Sequence, residues 1–256
     1  MRILLTNDDG IQAPGLDTLR RALEEIAVVT VVAPDRERSA TGHGITVDYP
    51  IRVAEYIFPD SPTQGWVIDG TPTDCVKLAV CALLEEPPDL VVSGINRGGN
   101  LGTDVLYSGT VSAAIEGIIL GIPSIAVSLN SFDFQADYRY AASLTQRLCK
   151  EFKEWNLPPD AMLNVNVPAV PEAEIQGIQV TKLGIRRYED VFQKRMDPRG
   201  RIYFWLAGNI VDNDEDQDTD VMFIKNNYVT ITPVHFDLTN YQLLPDVKEK
   251  LKPILR

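Results

Sequence analysis

The opening residues 1–19, "MRILLTNDDGIQAPGLDTL", decide the fold class. "RILLT" is an almost unbroken apolar run, the pattern of a parallel strand buried on both faces. Two adjacent aspartates and a glycine end it. Leu16, Leu19, Leu23 and Ile26 then recur at helical spacing, which predicts an amphipathic helix. "VVTVVAP" (Val28 to Pro34) reads as a second buried strand, and the polar loop "DRERSATGHG" follows it. Strand, turn, helix and strand in this order form the first unit of an α/β fold.

The same alternation continues along the chain. "ITVDYPIRVAEYIF" holds one or two strands, broken or placed at an edge by Pro50. "GWVIDGTPTDCVKLAVCALL" predicts a short strand, a turn and a helix. Thr71 is its expected N-cap, Pro72 lies in the first turn, and Asp74 completes a near capping box. "PDLVVSGIN" is another buried strand, "SGTVSAAIEGIILG" a helix starting at about Ser108, "PSIAVSL" a strand, and Tyr138 to Trp155 a helix. The second half is richer in strands: "MLNVNVP", "IQGIQVTKLG", "RIYFWLAG" and "NYVTITPV". "LPDVKEKLKPIL" predicts a C-terminal helix.

The expected architecture is a three-layer α/β/α, Rossmann-like fold around a mostly parallel sheet. Residues 1–256 are read as one domain, with a projecting hairpin arm at about 184–226. The arm's first limb, "IRRYEDVFQKRMDPRGR", is basic, and its later turn, "DNDEDQDTD", is acidic. That limb either meets substrate phosphates of a neighbouring subunit or pairs with acidic surface, the second being favoured. The acidic turn is read as solvated. With Asp212 first, its sixth position is Gln217 rather than Gly, and its twelfth is Phe223 rather than Glu, so it is no calcium loop.

The 256 residues carry a net charge of −12. That disfavours a nucleic-acid polymer or an anionic membrane as partner. No apolar stretch approaches the ~20 residues of a membrane span, and no signal peptide is expected, because the first apolar run meets Asp8 within a few residues. Cys75, Cys81 and Cys149 form no CxxC or zinc spacing and suit small core positions in a reducing cytosol. The expected location is cytoplasmic.

In open α/β sheets, ligands collect beyond the carboxyl ends of the parallel strands. There this chain places Asp8 and Asp9 after the first strand, Ser39 after the second, and Asn96, followed by "RGGN" ending at Asn100, after "LVVSG". Carboxylates, a hydroxyl and an amide carbonyl are hard oxygen donors, suited to Mg²⁺, Mn²⁺ or Ca²⁺. Two bare carboxylates about 4 Å apart repel by ~4 kcal/mol at a typical effective dielectric. A dication removes that cost, and Gly10 lets the backbone turn so that both side chains need not oppose. The helix start Ser108, Gly109, Thr110 offers N–H groups and hydroxyls to a phosphate. His43 and His235 are read as a loop and a structural histidine. No P-loop, GxGxxG, HExxH or GxSxG is present.

"ILLTNDDGIQAPGL", "VVAPDRERSATGH", "DGTPTDCVKLAV", "PDLVVSGINRGGNLGTDVLYSGTVSAAIEG" and "GIPSIAVSL" together resemble the SurE (survival protein E) family of nucleotidases, in that family's order over about residues 1–130. The resemblance implies a metal-dependent phosphatase of nucleoside 5′- and 3′-monophosphates, with activity on short polyphosphate in many members. It implies one divalent cation per subunit, Mg²⁺ or Mn²⁺ with Ca²⁺ also able to occupy the site, held by Asp8, Asp9, Ser39 and Asn96. It implies phosphate binding by Asn96, Asn100 and the Ser108–Thr110 segment. It also implies a homo-oligomer, dimer or tetramer, built through the C-terminal arm.

The expected chemistry is hydrolysis by metal-activated water, with Asp8 or Asp9 as general base and Asp9 favoured. A covalent phospho-aspartate route would need an aspartate where Asn7 stands. The alternative function is a non-catalytic, metal-dependent nucleotide-binding or sensing module.

Overall fold

The apolar run of the first strand divides its side chains between two cores. Ile3 and Leu5 point into a cluster with Leu16, Leu19 and Leu23 from one helix and Ala141, Leu144 and Leu148 from another. Leu4 points the other way, among Cys75, Val76, Ala79 and Ala113. Successive strand residues face opposite sides, so a strand between two helical layers must be apolar at every position. The structure, a computed structural model, describes residues 1–155, 158, 160–189, 192–211 and 216–254.

Along the chain run β1 (Arg2–Thr6), α1 (Pro14–Glu24), β2 (Val28–Pro34), β3 (Val53–Ile57), β4 (Gln64–Ile68), α2 (Pro72–Leu78), β5 (Leu90–Arg97), α3 (Gly109–Ile119), β6 (Ser124–Asn130), α4 (Arg139–Phe152) and β7 (Met162–Pro168). They continue with β8 (Gly177–Val180), β9 (Arg187–Glu189), β10 (Phe192–Met196), β11 (Ile202–Leu206), β12 (Asn209–Val211), α5 (Asp220–Lys225), β13 (Tyr228–Val234) and α6 (Leu244–Leu251). Nine strands form the central sheet, in the order β3-β4-β2-β1-β5-β6-β7-β13-β8. The run from β4 to β7 is parallel. β3 pairs antiparallel to β4, and β13 antiparallel to β7. Helices α1 and α4 pack together, as do α2 and α3, giving the expected α/β/α layering.

Strand order reverses at β1. The chain moves from β1 out to β2 and β4, then returns to β5 on the other side of β1. Such a switch point opens a crevice at the carboxyl edge of the sheet. The loops that follow β2, β1 and β5 leave three adjacent strands there.

Local signals fix the helix starts. Thr71 caps α2, and Thr71 with Asp74 makes the complete capping box. Ser108 caps α3 by accepting from Val111 N. As expected, one strand, β3, forms between residues 45 and 58, at the edge of the sheet after Pro50. Other expectations change. The helix expected through Leu84 leaves α geometry after Leu78 and ends in a π-helical turn, Ala79–Leu83. Cys81 on that turn is exposed rather than a core residue, while Cys75 and Cys149 are buried; burial pushes the Cys149 thiol up to about 12.

A further change concerns the arm. β10 and β11 pair antiparallel and β9 pairs with β12, so the ladder occupies 187–211 and not the whole expected span. α5 belongs to the body: Val221 and Ile224 are buried against Leu101. Residues 212–215 of the acidic turn lie outside the described residues, so the position assigned to Asp212 is not described. At the turn's other end, Asp220 is fully buried rather than solvated. Its Oδ2 accepts from Gly102 N at 2.8 Å, and its Oδ1 accepts from Gly184 N at 2.8 Å and from Val221 N at 2.8 Å. Burial pushes this carboxyl up, and the three N–H groups only partly offset that. Asp220 thereby ties the segment leading into α3 to the base of the arm. Asp220→Ala strands two buried N–H groups, at about 1–3 kcal/mol each. The expected loss is roughly 2–5 kcal/mol in urea unfolding; a loss below about 1 kcal/mol would contradict this role.

Candidate functional site

The turn after β1 is built by Asn7. Its Nδ2 donates to Gly10 O at 2.9 Å, and its Oδ1 accepts from Gly10 N at 3.2 Å. Gly10 has φ +101°, a value that side-chain-bearing residues rarely adopt. This closed turn fixes the two residues inside it, Asp8 and Asp9.

Each aspartate is then held from a different direction. Asp8 is only 4% exposed, and its Oδ1 accepts from Thr110 Oγ1 at 2.6 Å. Asp9 Oδ2 accepts from Arg97 N at 2.9 Å. Each carboxylate keeps a second oxygen that these bonds do not use. Burial pushes the Asp8 carboxyl up to about 6; the Thr110 hydroxyl opposes the rise and the Asp9 charge adds to it. Burial also raises Asp9, against the Arg97 N–H and guanidinium. The pair is thus short of compensating positive charge.

The other predicted residues reach this pair through their neighbours. Arg38 N donates to Asp8 O at 2.7 Å, which sets Ser39 beside the first turn. Ser39 Oγ itself donates to Glu37 Oε1 at 2.7 Å on an exposed face. Asn96 immediately precedes Arg97, the residue bonded to Asp9. Asn96 Nδ2 donates to Gly98 O at 2.8 Å, which assigns its nitrogen and leaves Oδ1 as the oxygen for another partner.

Gly109 lies directly against the first turn. A Cβ there would sit 2.8 Å from Asp8 Cβ and 3.0 Å from Pro72 Cγ, so only glycine lets the α3 N-terminus approach this closely. Ser108 Oγ accepts from Val111 N as the helix cap, which leaves its O–H as a donor, and Thr110 Oγ1 donates to Asp8. Asn100 is buried: its Nδ2 donates to Ser128 Oγ, its N to Asn166 Oδ1, and its O accepts from Asn164 and Asn166 Nδ2. The alternation of asparagines in "MLNVNVP", polar on one face of a central strand, was the sequence signal for this network.

Sequence reasoning also missed Glu116. It is a 3% exposed carboxylate inside α3, bonded to His43 Nε2 at 2.9 Å and Lys77 Nζ at 2.8 Å. Burial works to raise its pKa, but the hydrogen bonds from His43 and Lys77 win and hold it below the ordinary range. Thr46 N and Oγ1 bond Asp74, and Thr71 Oγ1 donates to Gly44 O. The loop that starts at Ser39 is therefore strapped to α2 and α3. His235 Nδ1 accepts from Asp237 N, a local turn contact.

A cavity of about 860 Å³ lies beyond the ends of β6 and β7, lined by Leu129, Asp133, Asp137, Arg139 and Glu172 among others; none of the predicted site residues lines it. Among the described residues, no group of three His, Cys, Asp or Glu side chains gathers to hold a metal. The case for a cation here rests on the mixed oxygen set.

A sequence model of the family described as survival protein SurE matches residues 3–190. The chain belongs to the SurE family. It is 57% identical over 251 residues to a protein of Heliobacterium modesticaldum named 5′-nucleotidase SurE, covering 98% of this chain and 92% of that one. It is 58% identical over 253 residues to a protein of Pelotomaculum thermopropionicum with the same name, covering 98% and 96%. The crystal structure of the SurE protein from Aquifex aeolicus superimposes with a TM-score of 0.84 at 41% identity, covering 98% of this chain and 99% of that chain. The SurE fold expected from the motifs is therefore the fold observed.

In this SurE-family chain the Glu116 strap gives a pH-dependent test. A carboxyl held below its ordinary value stabilises the fold above that value and loses the contribution as pH falls through the folded one. Glu116→Gln should lower Tm at pH 7, and the difference from the parent should shrink below the ordinary glutamate value of 4.5. Amide exchange at Gly42 and Thr46 should speed up. Equal Tm at pH 7 would show that the strap carries no load.

Proposed function

We infer that this chain is a nucleotidase, a phosphoric monoester hydrolase acting on nucleoside monophosphates. We propose that one divalent cation per subunit, held by Asp8, Asp9, Ser39 and Asn96, serves the reaction. The observation that carries the reading is the convergence of the three loops from β2, β1 and β5 on a carboxylate pair of which Asp8 is buried against the α3 N-terminus and Asp9 is half-buried. The names of the relatives point to the same substrate class.

The donor set fits a hard cation. Two carboxylates raised by burial, a hydroxyl and an amide oxygen are ligands for Mg²⁺, Mn²⁺ or Ca²⁺. Bound there, the ion would supply Lewis-acid charge and lower the pKa of a water. The chain's own residues supply the rest. The α3 N-terminus presents its N–H groups and partial positive charge to the phosphate's non-bridging oxygens. Gly109 gives that approach its room. Asn100 Nδ2 has a second N–H beyond the one given to Ser128. Asp9, the less buried aspartate, accepts the proton as the water oxygen bonds to phosphorus. The ester P–O bond breaks, and the nucleoside leaves as its alcohol after taking up a proton. Asn7, spent on the Gly10 turn, leaves no aspartyl nucleophile at that position.

The same reading covers 5′- and 3′-monophosphates and short polyphosphate, and a cytoplasmic location, which the free thiols suit. No helix among the described residues is long and apolar enough to cross a membrane. The arm supports a homo-oligomer, dimer or tetramer: Phe192, Phe204, Trp205 and Leu206 are all exposed on its ladder, an apolar surface suited to a second copy of the chain. Arg186 on its basic limb pairs with Asp104 within the subunit, at 3.0 Å.

Asp8→Asn and Asp9→Asn should each cut phosphate release from AMP by more than about 100-fold, as loss of a charge at the reacting centre does. Chelator should silence the parent protein, and Mn²⁺ or Mg²⁺ should restore it. Metal-free Asp8→Asn should melt no lower than the metal-free parent, because it removes a buried charge and keeps the acceptor for Thr110. Full activity of either variant, or activity indifferent to chelator, would exclude the cation site.

A further inference from the structure

Two exposed phenylalanines pack against Arg97 and Gly98 at the exit of β5, and neither has a role in the proposed hydrolysis. Phe132 is 74% exposed and Phe134 78%. Both belong to the loop "SFDFQAD" after β6, and three contacts anchor that loop to the exit of β5. The Arg97 guanidinium lies over the Phe134 ring, 4.0 Å from its centroid. Arg97 Nη1 donates to Phe132 O at 3.3 Å. The Phe132 ring rests on Gly98, where a Cβ would sit 2.7 Å from Phe132 Cε1. Arg97 also pairs with Glu37 at 3.3 Å, in the loop that carries Ser39.

The decisive connection is Arg97 itself. Its backbone N–H holds Asp9, and the far end of its side chain holds Phe134. One arginine side chain therefore separates the reacting centre from an aromatic face. The cation covers one face of Phe134 and fixes the ring. The opposite face is left for a flat π-system, to which aromatic side chains bind with little regard for base identity.

We propose that Phe134, backed by Arg97 and flanked by Phe132, is the platform on which the nucleobase of the substrate stacks. The proposal rests on the nucleotidase reading of the same site and names the part of the substrate that this face takes. It makes the base a source of binding energy and leaves selectivity among bases weak. Tyr107, 65% exposed just before α3, is the competing aromatic.

The test compares AMP with ribose 5-phosphate, which carries the same phosphate ester and no base. Phosphate release is measured for the parent, Phe134→Ala, Phe134→Trp and Tyr107→Ala, with Mn²⁺ present and the oligomer mass checked by light scattering. The parent should favour AMP in kcat/KM. Phe134→Ala should reduce that preference by about 5- to 100-fold, mostly through KM for AMP, the range expected for one lost stacking partner. Phe134→Trp should restore it, and Tyr107→Ala should leave it in place. An unchanged preference in Phe134→Ala would overturn the platform while leaving the nucleotidase intact, as would a loss confined to Tyr107→Ala. A change of mass without a change of preference would likewise overturn it and assign the ring to contact between copies. A parent that hydrolyses neither compound would remove the nucleotidase reading and the platform with it.

Discussion

The hydrogen bond from Thr110 to Asp8 joins two segments 102 residues apart, and the site depends on it. It places a carboxylate where water cannot solvate it, against the start of α3. A buried charge of this kind is costly unless something positive answers it. The helix N-terminus supplies part of the answer. Burial pushes the Asp8 carboxyl up to about 6 against the Thr110 hydrogen bond. A dication at the pair would complete the compensation, and the same deficit would give it affinity.

The topology makes that arrangement possible. Because β2, β1 and β5 are adjacent and parallel, their following loops must meet at one edge. Asn7 and Gly10 close the first loop, Arg38 N ties the second to Asp8 O, and Arg97 N ties the third to Asp9. Behind them, Asn100 with Asn164 and Asn166, and Glu116 with His43 and Lys77, hold the loops from below. These buried polar groups act through position.

Much of this was legible in the sequence wherever the information is local. The unbroken apolar run of β1, the Val28–Pro34 strand, and the Thr71–Asp74 capping box all depend on residues close in the chain, and all form as read. Asp8 and Asp9 stood out because a charge pair directly after a buried strand has few innocent explanations. What escaped depends on distant partners. Asp220 read as part of a solvated acidic run, yet it bonds Gly102, 118 residues away. Glu116 read as one polar residue in a helix, while its partners lie 73 and 39 residues off. Thr110 read as part of the helix start, while its hydroxyl is donated to Asp8, 102 residues away. The arm's existence was legible in the strand-rich second half, but its end was not, because only tertiary packing returns α5 to the body.

The most direct measurement is anomalous diffraction from crystals soaked in Mn²⁺. The account predicts one strong peak per subunit between the carboxylates of Asp8 and Asp9, within coordination distance of the Ser39 hydroxyl and the Asn96 side-chain oxygen. A dominant peak in the acidic cavity beside Asp133 and Asp137, or no peak near Asp8 at saturating metal, would contradict it.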